Sequence, residues 1–118
     1  MSEEHPRIQV EDLHQFVCTV FQRLGVPAED ARICADVLVA ADLRGVASHG
    51  VSRLMLYVNR IRNGTLSPVT RLQTVKEGPT TAVLDAQNGM GMVAGYHAMT
   101  LAIRKARAFG LGAVVVRN

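Results

Sequence analysis

The hydrophobic residues of this 118-residue chain change their spacing near Pro68, and this change constrains the fold more than any other feature. Before Pro68 the apolar residues recur every three or four positions, as in amphipathic helices. After Pro68, residues 72–76 alternate in character and residues 80–84 are β-branched and apolar, as in strands. The sequence therefore predicts an α/β fold, with an N-terminal helical region at residues 10–68 and the start of a sheet domain at residues 69–118.

Three helices are predicted in the first region, after a flexible arm at residues 1–9. The first spans residues 11–24 and ends at Gly25, the second begins at Pro27, and the third runs from about His49 to Arg62. Glycine is favoured directly after a helix and proline in its first turn. The positions expected to face the core are Leu13, Phe16, Val17, Val20, Phe21 and Leu24 in the first helix and Ala31, Cys34, Val37, Leu38 and Ala41 in the second.

A hairpin and a βαβ unit are predicted in the second region. The hairpin turns at residues 77–79, and a fourth helix from Met92 to Phe109, with His97 among its inward positions, connects two strands that should be parallel. The final apolar run, residues 113–116, is typical of a strand covered on both faces. Because the sequence stops directly after it, we interpret the chain as a truncated part of a larger mixed sheet.

Composition limits the classes of function. The net charge is only +3 and the basic residues are scattered, which argues against a nucleic-acid surface. No run approaches the roughly 20 apolar residues of a membrane span, and the acidic N-terminus is unlike a secretory signal. Cys18 and Cys34 lie in helical patterns without metal-ligand spacing. These cysteines predict a reduced, cytoplasmic protein with no metal site.

Residues 89–95 contain three glycines between a predicted strand and a predicted helix, where a dinucleotide fingerprint would lie. The third glycine is one residue late for G-x-G-x-x-G, and the next strand ends in Arg117 instead of an acid. An arginine there could in principle meet a 2′-phosphate. The pattern favours a strand-to-helix turn whose glycines allow close packing.

The candidate functional residues lie in residues 42–53, whose sequence is DLRGVASHGVSR. If Ser48 is the N-cap of the third helix, His49 sits in the first turn at the positive end of the helix dipole. His49, Arg53 and Tyr57 then share one face, at i, i+4 and i+8. The residues expected on the opposite, packed face are Val51, Leu54, Val58 and Ile61.

The chemistry of His49 and Arg53 suits a small 2-keto or 2-hydroxy acid. An imidazole can give or take a proton near neutral pH, and a guanidinium binds a carboxylate through two parallel hydrogen bonds. The residues alone leave two functions open, an enzyme of this kind and a non-catalytic module that pairs through its helices. A nucleic-acid binder is a distant third. The other histidines, His5, His14 and His97, are given no role.

Residues 41–54, together with Tyr57 and Gly64, resemble the malate/L-lactate dehydrogenase family of NAD(P)-dependent oxidoreductases. Residues 82–85, 88–91 and 98–103 resemble later motifs of that family. The resemblance covers about residues 10–118. It implies an N-terminal helical region, a mixed sheet and a nicotinamide site in a fold that is not a Rossmann fold.

The resemblance also implies roles for individual residues. His49 is the expected catalytic proton donor or acceptor, and Arg53, Ser48 and Tyr57 are expected to bind the substrate. Ala47 stands where many members carry Asp. The expected cofactor is NAD or NADP, with its binding residues unassigned, and the expected assembly is a homodimer. Because members continue beyond a matching Val-Arg-Asn, the chain is expected to cover the first third of a member and to be inactive alone.

Overall fold

The computed structural model describes residues 6–118, and its helices and strands follow the predicted order. The regular elements are α1 (Val10–Arg23), α2 (Ala28–Leu43), two 3₁₀ turns (Ala47–His49 and Val51–Arg53), α3 (Leu54–Arg62), β1 (Gln73–Glu77), β2 (Thr81–Asp85), α4 (Gly91–Phe109) and β3 (Ala113–Arg117). Residues 6–9, from the predicted arm, have no regular secondary structure, and the rest of that arm lies outside the described residues.

The first three helices end in the same way, each at a glycine with positive φ. These residues are Gly25, Gly45 and Gly64, with φ of 96°, 76° and 81°. After α2, for example, the Val46 amide donates to the Ala41 carbonyl at 2.9 Å, and the Gly45 amide also bonds back into the last turn. Only a residue without a Cβ adopts this left-handed conformation at little cost. The end of the first helix predicted from Gly25 is confirmed.

The core lies between the helices of the first region and the beginning of α4. Its buried residues are Val17, Phe21, Val26, Ala31, Ile33, Cys34, Ala35, Leu38, Leu54, Val58, Met90 and Val93. Helix α2 packs against both α1 and α4, which its stripe of small residues allows. Since Met90 and Val93 come from the second region, both regions share this core. The division of the chain at residue 68 remains a prediction.

Three expected core positions are wrong. Phe16 and Val37 are 58 % and 43 % exposed, and His97 lies on the exposed side of α4. Periodicity identifies the apolar side of a helix but not the width of the neighbour that covers it. Here α1 and α2 cover each other along a narrower stripe than the sequence pattern suggests.

The sheet contains both predicted pairings. β1 and β2 are antiparallel, with a bulge between Thr74 and Lys76. β2 and β3 are parallel neighbours, and α4 connects them along the chain. The strand order is β1-β2-β3, so β3 lies at the edge. Val115 is 61 % exposed, so the prediction of a strand covered on both faces is wrong for residues 6–118. A parallel strand is covered only where a layer packs on each side, and α4 supplies one.

No helix within residues 6–118 is long and apolar enough to cross a lipid bilayer.

Candidate active site

The segment between α2 and α3 differs from the helix start that the sequence predicted. Residues 47–49 and 51–53 form two 3₁₀ turns, and Gly50 between them is extended, with φ −93° and ψ −154°. Helix α3 begins only at Leu54. The predictions that Ser48 is an N-cap and that His49 lies in the first turn of an α-helix are therefore wrong. Residues 47–53 are called the His49 turn below.

Asp42, in the last turn of α2, holds the His49 turn in this conformation. Its Oδ2 accepts a hydrogen bond from the Val51 amide at 2.9 Å. Gly50 lies so close that a Cβ there would overlap the Asp42 carboxylate. An N-cap side chain accepts a hydrogen bond from a free backbone N–H at the start of its own helix. Here the Asp42 carboxylate of α2 accepts the Val51 N–H in the same way.

The sequence contains a signal that Asp42 has a role, although no role was predicted for it. An acid in the last turn of a helix faces the negative end of the helix dipole, which is unfavourable for a carboxylate. Helix α2 also carries no basic residue in that turn. A carboxylate at such a position indicates a contact outside its own helix.

Ser48 lies between the imidazole and the guanidinium of the predicted site and contacts both. Its Oγ is 2.9 Å from His49 Nδ1, and its carbonyl oxygen accepts a hydrogen bond from Arg53 Nε at 2.8 Å. Within residues 6–118, neither His49 Nε2 nor the two terminal nitrogens of Arg53 have a hydrogen-bond partner. The structure thus brings Ser48, His49 and Arg53 together and leaves the reactive ends of the last two free.

Tyr57 is placed differently from these three. It is partly buried against the core, and its ring meets that of Phe21 edge-on at 6.2 Å between centroids. The predicted common face assumed one continuous helix, which the extended Gly50 interrupts. Within the described part of the chain no hydrogen bond joins Tyr57 to His49 or Arg53. Its role in substrate binding remains a prediction. The expected packed face of α3 is confirmed, since Leu54 and Val58 are buried.

The side chains of the site face solvent. Ser48, His49 and Arg53 are all exposed. A groove of about 430 Å³ lies beside the His49 turn and is lined by Pro6, Ile8, Val10, Leu13, Val39, Asp42, Leu43 and Ala47. The groove is mainly apolar and none of the three site residues lines it. Residues 6–118 therefore present the imidazole and the guanidinium on a surface and do not enclose them.

The turn at residues 86–91, called the Met90 turn below, was tested for its fit to a nicotinamide dinucleotide. Gly89 and Met90 are buried, the Met90 amide donates to Thr70 Oγ1 at 2.9 Å, and the Gly89 amide donates to the Ala86 carbonyl at 2.8 Å. In a dinucleotide fingerprint such amides point at the pyrophosphate. Here the Gly89 and Met90 amides are already bonded within the protein, so neither is available to a pyrophosphate.

Arg117 is also engaged within the chain. Its Nε lies 3.2 Å from Asp85 Oδ2 on the neighbouring strand. The pKa of the Asp85 carboxyl is held below its usual range, mainly because the carboxylate accepts the Gln87 amide and also because it contacts Asn118 and Arg117. An arginine paired in this way gives the idea of a 2′-phosphate contact no support.

The histidines and cysteines other than His49 within residues 6–118 make no hydrogen bond to the His49 turn. His14 links α1 to α2, with its Nε2 2.6 Å from Asp36 Oδ1. His5 lies outside the described residues. Burial raises the pKa of the Cys34 thiol to about 12, and burial also raises that of Cys18. No group of three acidic, histidine or cysteine side chains within residues 6–118 is arranged to hold a metal ion.

Comparisons with known proteins point to one family. The family model described as malate/L-lactate dehydrogenase matches residues 8–118. The malate dehydrogenase of Pyrococcus abyssi is 49 % identical over 100 % of this chain and 33 % of its own length. The L-sulfolactate dehydrogenase of Methanocaldococcus jannaschii is 43 % identical over 94 % of this chain and 32 % of its own length.

Solved structures show the same likeness in three dimensions. The malate dehydrogenase of Pyrococcus horikoshii OT3 superposes with a TM-score of 0.96 and 46 % identity, covering 99 % of this chain and 34 % of that one. The malate dehydrogenase of Entamoeba histolytica gives a TM-score of 0.92 and 39 % identity, over 96 % of this chain and 32 % of that one. The chain thus spans about a third of the length of these relatives and corresponds to their N-terminal part.

Proposed function

This chain belongs to the malate/L-lactate dehydrogenase family, and we propose that it supplies the proton-transfer and carboxylate-binding residues of an oxidoreductase. The proposed reaction moves a hydride between NAD or NADP and a small 2-keto or 2-hydroxy acid. The contact of Ser48 with both His49 and Arg53 is the observation that supports this most directly. The relatives named malate and L-sulfolactate dehydrogenase point to the same class of substrate.

Arg53 is proposed to bind the substrate carboxylate. Its Nε is bonded to the Ser48 carbonyl, which fixes the plane of the guanidinium and leaves both terminal nitrogens for a ligand. A planar guanidinium matches the two oxygens of a carboxylate with two parallel hydrogen bonds. Because the group is already oriented, less conformational entropy is lost when the substrate binds.

His49 is proposed to transfer the proton. When a 2-keto acid is reduced, the cofactor supplies the hydride that bonds to C2, and a proton must reach the carbonyl oxygen so that a hydroxyl forms. His49 can deliver that proton from Nε2, and in the oxidation direction it takes the proton from the hydroxyl. The Ser48 hydroxyl contacts Nδ1, which orients the ring and leaves Nε2 for the substrate.

No cofactor-binding residue is proposed within this chain, because the Gly89 and Met90 amides that the glycine spacing points to are bonded within the protein. We also propose a cytoplasmic homodimer that binds neither nucleic acid nor membranes. The two free cysteines suit a reducing compartment, and the scattered basic residues give no continuous surface for a phosphate backbone.

Consumption of NADH and NADPH with glyoxylate, pyruvate and oxaloacetate tests the proposal. The protein as encoded by its own gene should turn over at least one of these acids, and its mass by light scattering should be that of a dimer. Residues 1–118 expressed alone should show no turnover. If the gene product oxidises neither cofactor yet still pairs through its helices, the non-catalytic module is the correct function and the proposal fails.

A further inference from the structure

We propose that Asp42 is a positioning residue of this active site, which sets the relative orientation of His49 and Arg53 through the backbone between them. Its effect on turnover rests on the proposed function, whereas its effect on the conformation of the turn does not. Within residues 6–118 Asp42 makes no hydrogen bond to either side chain, so it is not proposed to transfer a proton.

Asp42 bonds to the backbone midway between His49 and Arg53. Asp42 Oδ2 accepts the amide of Val51, which lies two residues after His49 and two residues before Arg53. Any movement of this amide therefore shifts both side chains relative to each other. Misplacement by about 1 Å of a group that positions a substrate can cost on the order of 100-fold in rate.

Other contacts close the His49 turn on itself but do not attach it to another element through a side chain. The Ser52 hydroxyl donates to the Ala47 carbonyl and Arg53 Nε donates to the Ser48 carbonyl, both at 2.8 Å. Within residues 6–118, Asp42 is the only side chain from outside the turn that hydrogen-bonds to it. The direction of the whole turn relative to α2 thus depends on this carboxylate.

Gly50 is the steric complement of Asp42. A Cβ at residue 50 would overlap the carboxylate, although the φ of −93° at Gly50 is open to any residue. The glycine is therefore required for space and not for backbone conformation. It follows that a side chain at residue 50 should act by displacing Asp42, so the two substitutions should not be additive.

Five variants of the gene product test this inference: Asp42→Ala, Asp42→Asn, Gly50→Ala, the double variant Asp42→Ala/Gly50→Ala, and Thr70→Val as a matched control. Thr70 Oγ1 also accepts a backbone amide from a distant residue at 2.9 Å, but in the Met90 turn. The readouts are kcat and KM for the reactive 2-keto acid, their pH profiles, and hydrogen exchange at the Val51 amide.

We expect Asp42→Ala to lower kcat/KM by roughly 10- to 100-fold with the pH profile unshifted, because no proton-transfer group is lost. Asp42→Asn should stay within about threefold of wild type, since its amide oxygen can still accept the Val51 N–H. Gly50→Ala should resemble Asp42→Ala, and the double variant should be no worse than either. Thr70→Val should lower stability but leave turnover per folded molecule unchanged.

Three results would overturn the inference: wild-type kcat/KM in Asp42→Ala, an equal loss in Thr70→Val, or an Asp42→Asn variant as impaired as Asp42→Ala. If the wild-type protein reduces none of the acids, the proposed function fails, and hydrogen exchange alone decides the inference. The Val51 amide should exchange slowly in the wild type and fast in Asp42→Ala, while slow exchange in both proteins would refute the contact.

Discussion

The His49 turn and the Met90 turn are held by similar contacts, but one carries an exposed polar side chain and the other a buried apolar one. In each, an oxygen of a distant side chain, Asp42 or Thr70, accepts a backbone amide at 2.9 Å. In each, a glycine packs so closely on that same residue that a Cβ would collide with it. The Met90 turn places a fully buried methionine in the core, whereas the His49 turn leaves an imidazole exposed.

The comparison shows that a firmly held glycine turn is not in itself a functional site. The glycines of residues 89–95 are the ones whose spacing suggests a cofactor, yet the amides of Gly89 and Met90 are bonded inside the protein. The site is proposed in the other turn because the side chains beside its glycine keep hydrogen-bonding atoms free within residues 6–118. What a turn presents to solvent therefore matters more for function than how it is held.

The largest expected effect comes from removing the imidazole of the His49 turn. His49→Ala should lower kcat by roughly 10²- to 10⁴-fold, the usual worth of a positioned proton donor. The matched control is His97→Ala, which removes an exposed histidine from α4. Steady-state kinetics on both variants separates the site from the rest of the surface. Near wild-type turnover in His49→Ala would end the assignment of the catalytic proton to this turn.

The next effect concerns substrate binding. Arg53→Lys keeps the charge but loses the planar fork and the Nε bond to Ser48, so KM for the 2-keto acid should rise by about 10- to 100-fold, as for a lost charged hydrogen bond. Cofactor affinity should stay almost unchanged. Arg62→Lys, at the exposed end of α3, is the control. A cofactor affinity that weakens as much as substrate affinity would place Arg53 in a different subsite.

The free energy of unfolding tests how closely Gly89 packs in the Met90 turn. A Cβ at Gly89 would lie 2.8 Å from the Thr70 methyl and 2.9 Å from the Ala86 carbonyl oxygen. Gly89→Ala should therefore lower the free energy of unfolding by about 1–3 kcal/mol, as overpacking does.

The control for this substitution should change stability in the opposite direction. Gly95 lies inside α4 with open space around its Cα, so Gly95→Ala should raise the free energy of unfolding by about 0.5–1 kcal/mol. Urea titration measures both values. Equal stability of Gly89→Ala and wild type would show that the Met90 turn is loosely packed and that the likeness between the two turns is wrong.

A smaller effect should come from the Ser48 hydroxyl. Ser48→Ala removes the hydroxyl contact to the His49 ring but keeps the carbonyl that accepts from Arg53. A neutral hydrogen bond contributes about 0.5–1.5 kcal/mol. We therefore expect kcat to fall by up to about tenfold and KM to stay unchanged. Ser52→Ala removes a hydroxyl from the same turn that does not touch His49. It should leave kcat unchanged. If KM rises in Ser48→Ala, the side chain itself binds substrate, as the family resemblance implies.

The smallest effect is a pH dependence of stability at the Met90 turn. The Asp85 carboxylate accepts the Gln87 amide, and this depresses its pKa below 3.8 in the folded protein. A depressed pKa stabilises the fold fully above the ordinary value of 3.8 and loses that contribution as the pH falls through the folded value. Thermal midpoints below pH 4 should therefore fall more steeply in wild type than in Asp85→Asn. Parallel curves would show that this carboxylate contributes nothing to the turn.

The fold was predictable from the sequence because its signals are local. Helix ends follow from glycines, which adopt a positive φ without a Cβ penalty. The change from a period of three or four to a period of two separates helices from strands. The hairpin and the parallel strand order around α4 follow from connection length and handedness. The residues of the proposed site could also be identified from the sequence, since Ser48, His49 and Arg53 lie within one twelve-residue stretch.

The tertiary structure decided the arrangement of those residues. A hydroxyl before an apolar run satisfies the local conditions for an N-cap, so Ser48 was the expected start of α3. The amide that needs an acceptor belongs instead to Val51, and the acceptor is a carboxylate on the preceding helix. Whether the Ser48 hydroxyl or the Asp42 carboxylate accepts a free amide of this turn depends on the position of α2 relative to the turn. Local sequence propensities do not specify that position. Tyr57 packs beside Phe21, and the extended Gly50 interrupts the continuous helix on which His49, Arg53 and Tyr57 would have shared one face.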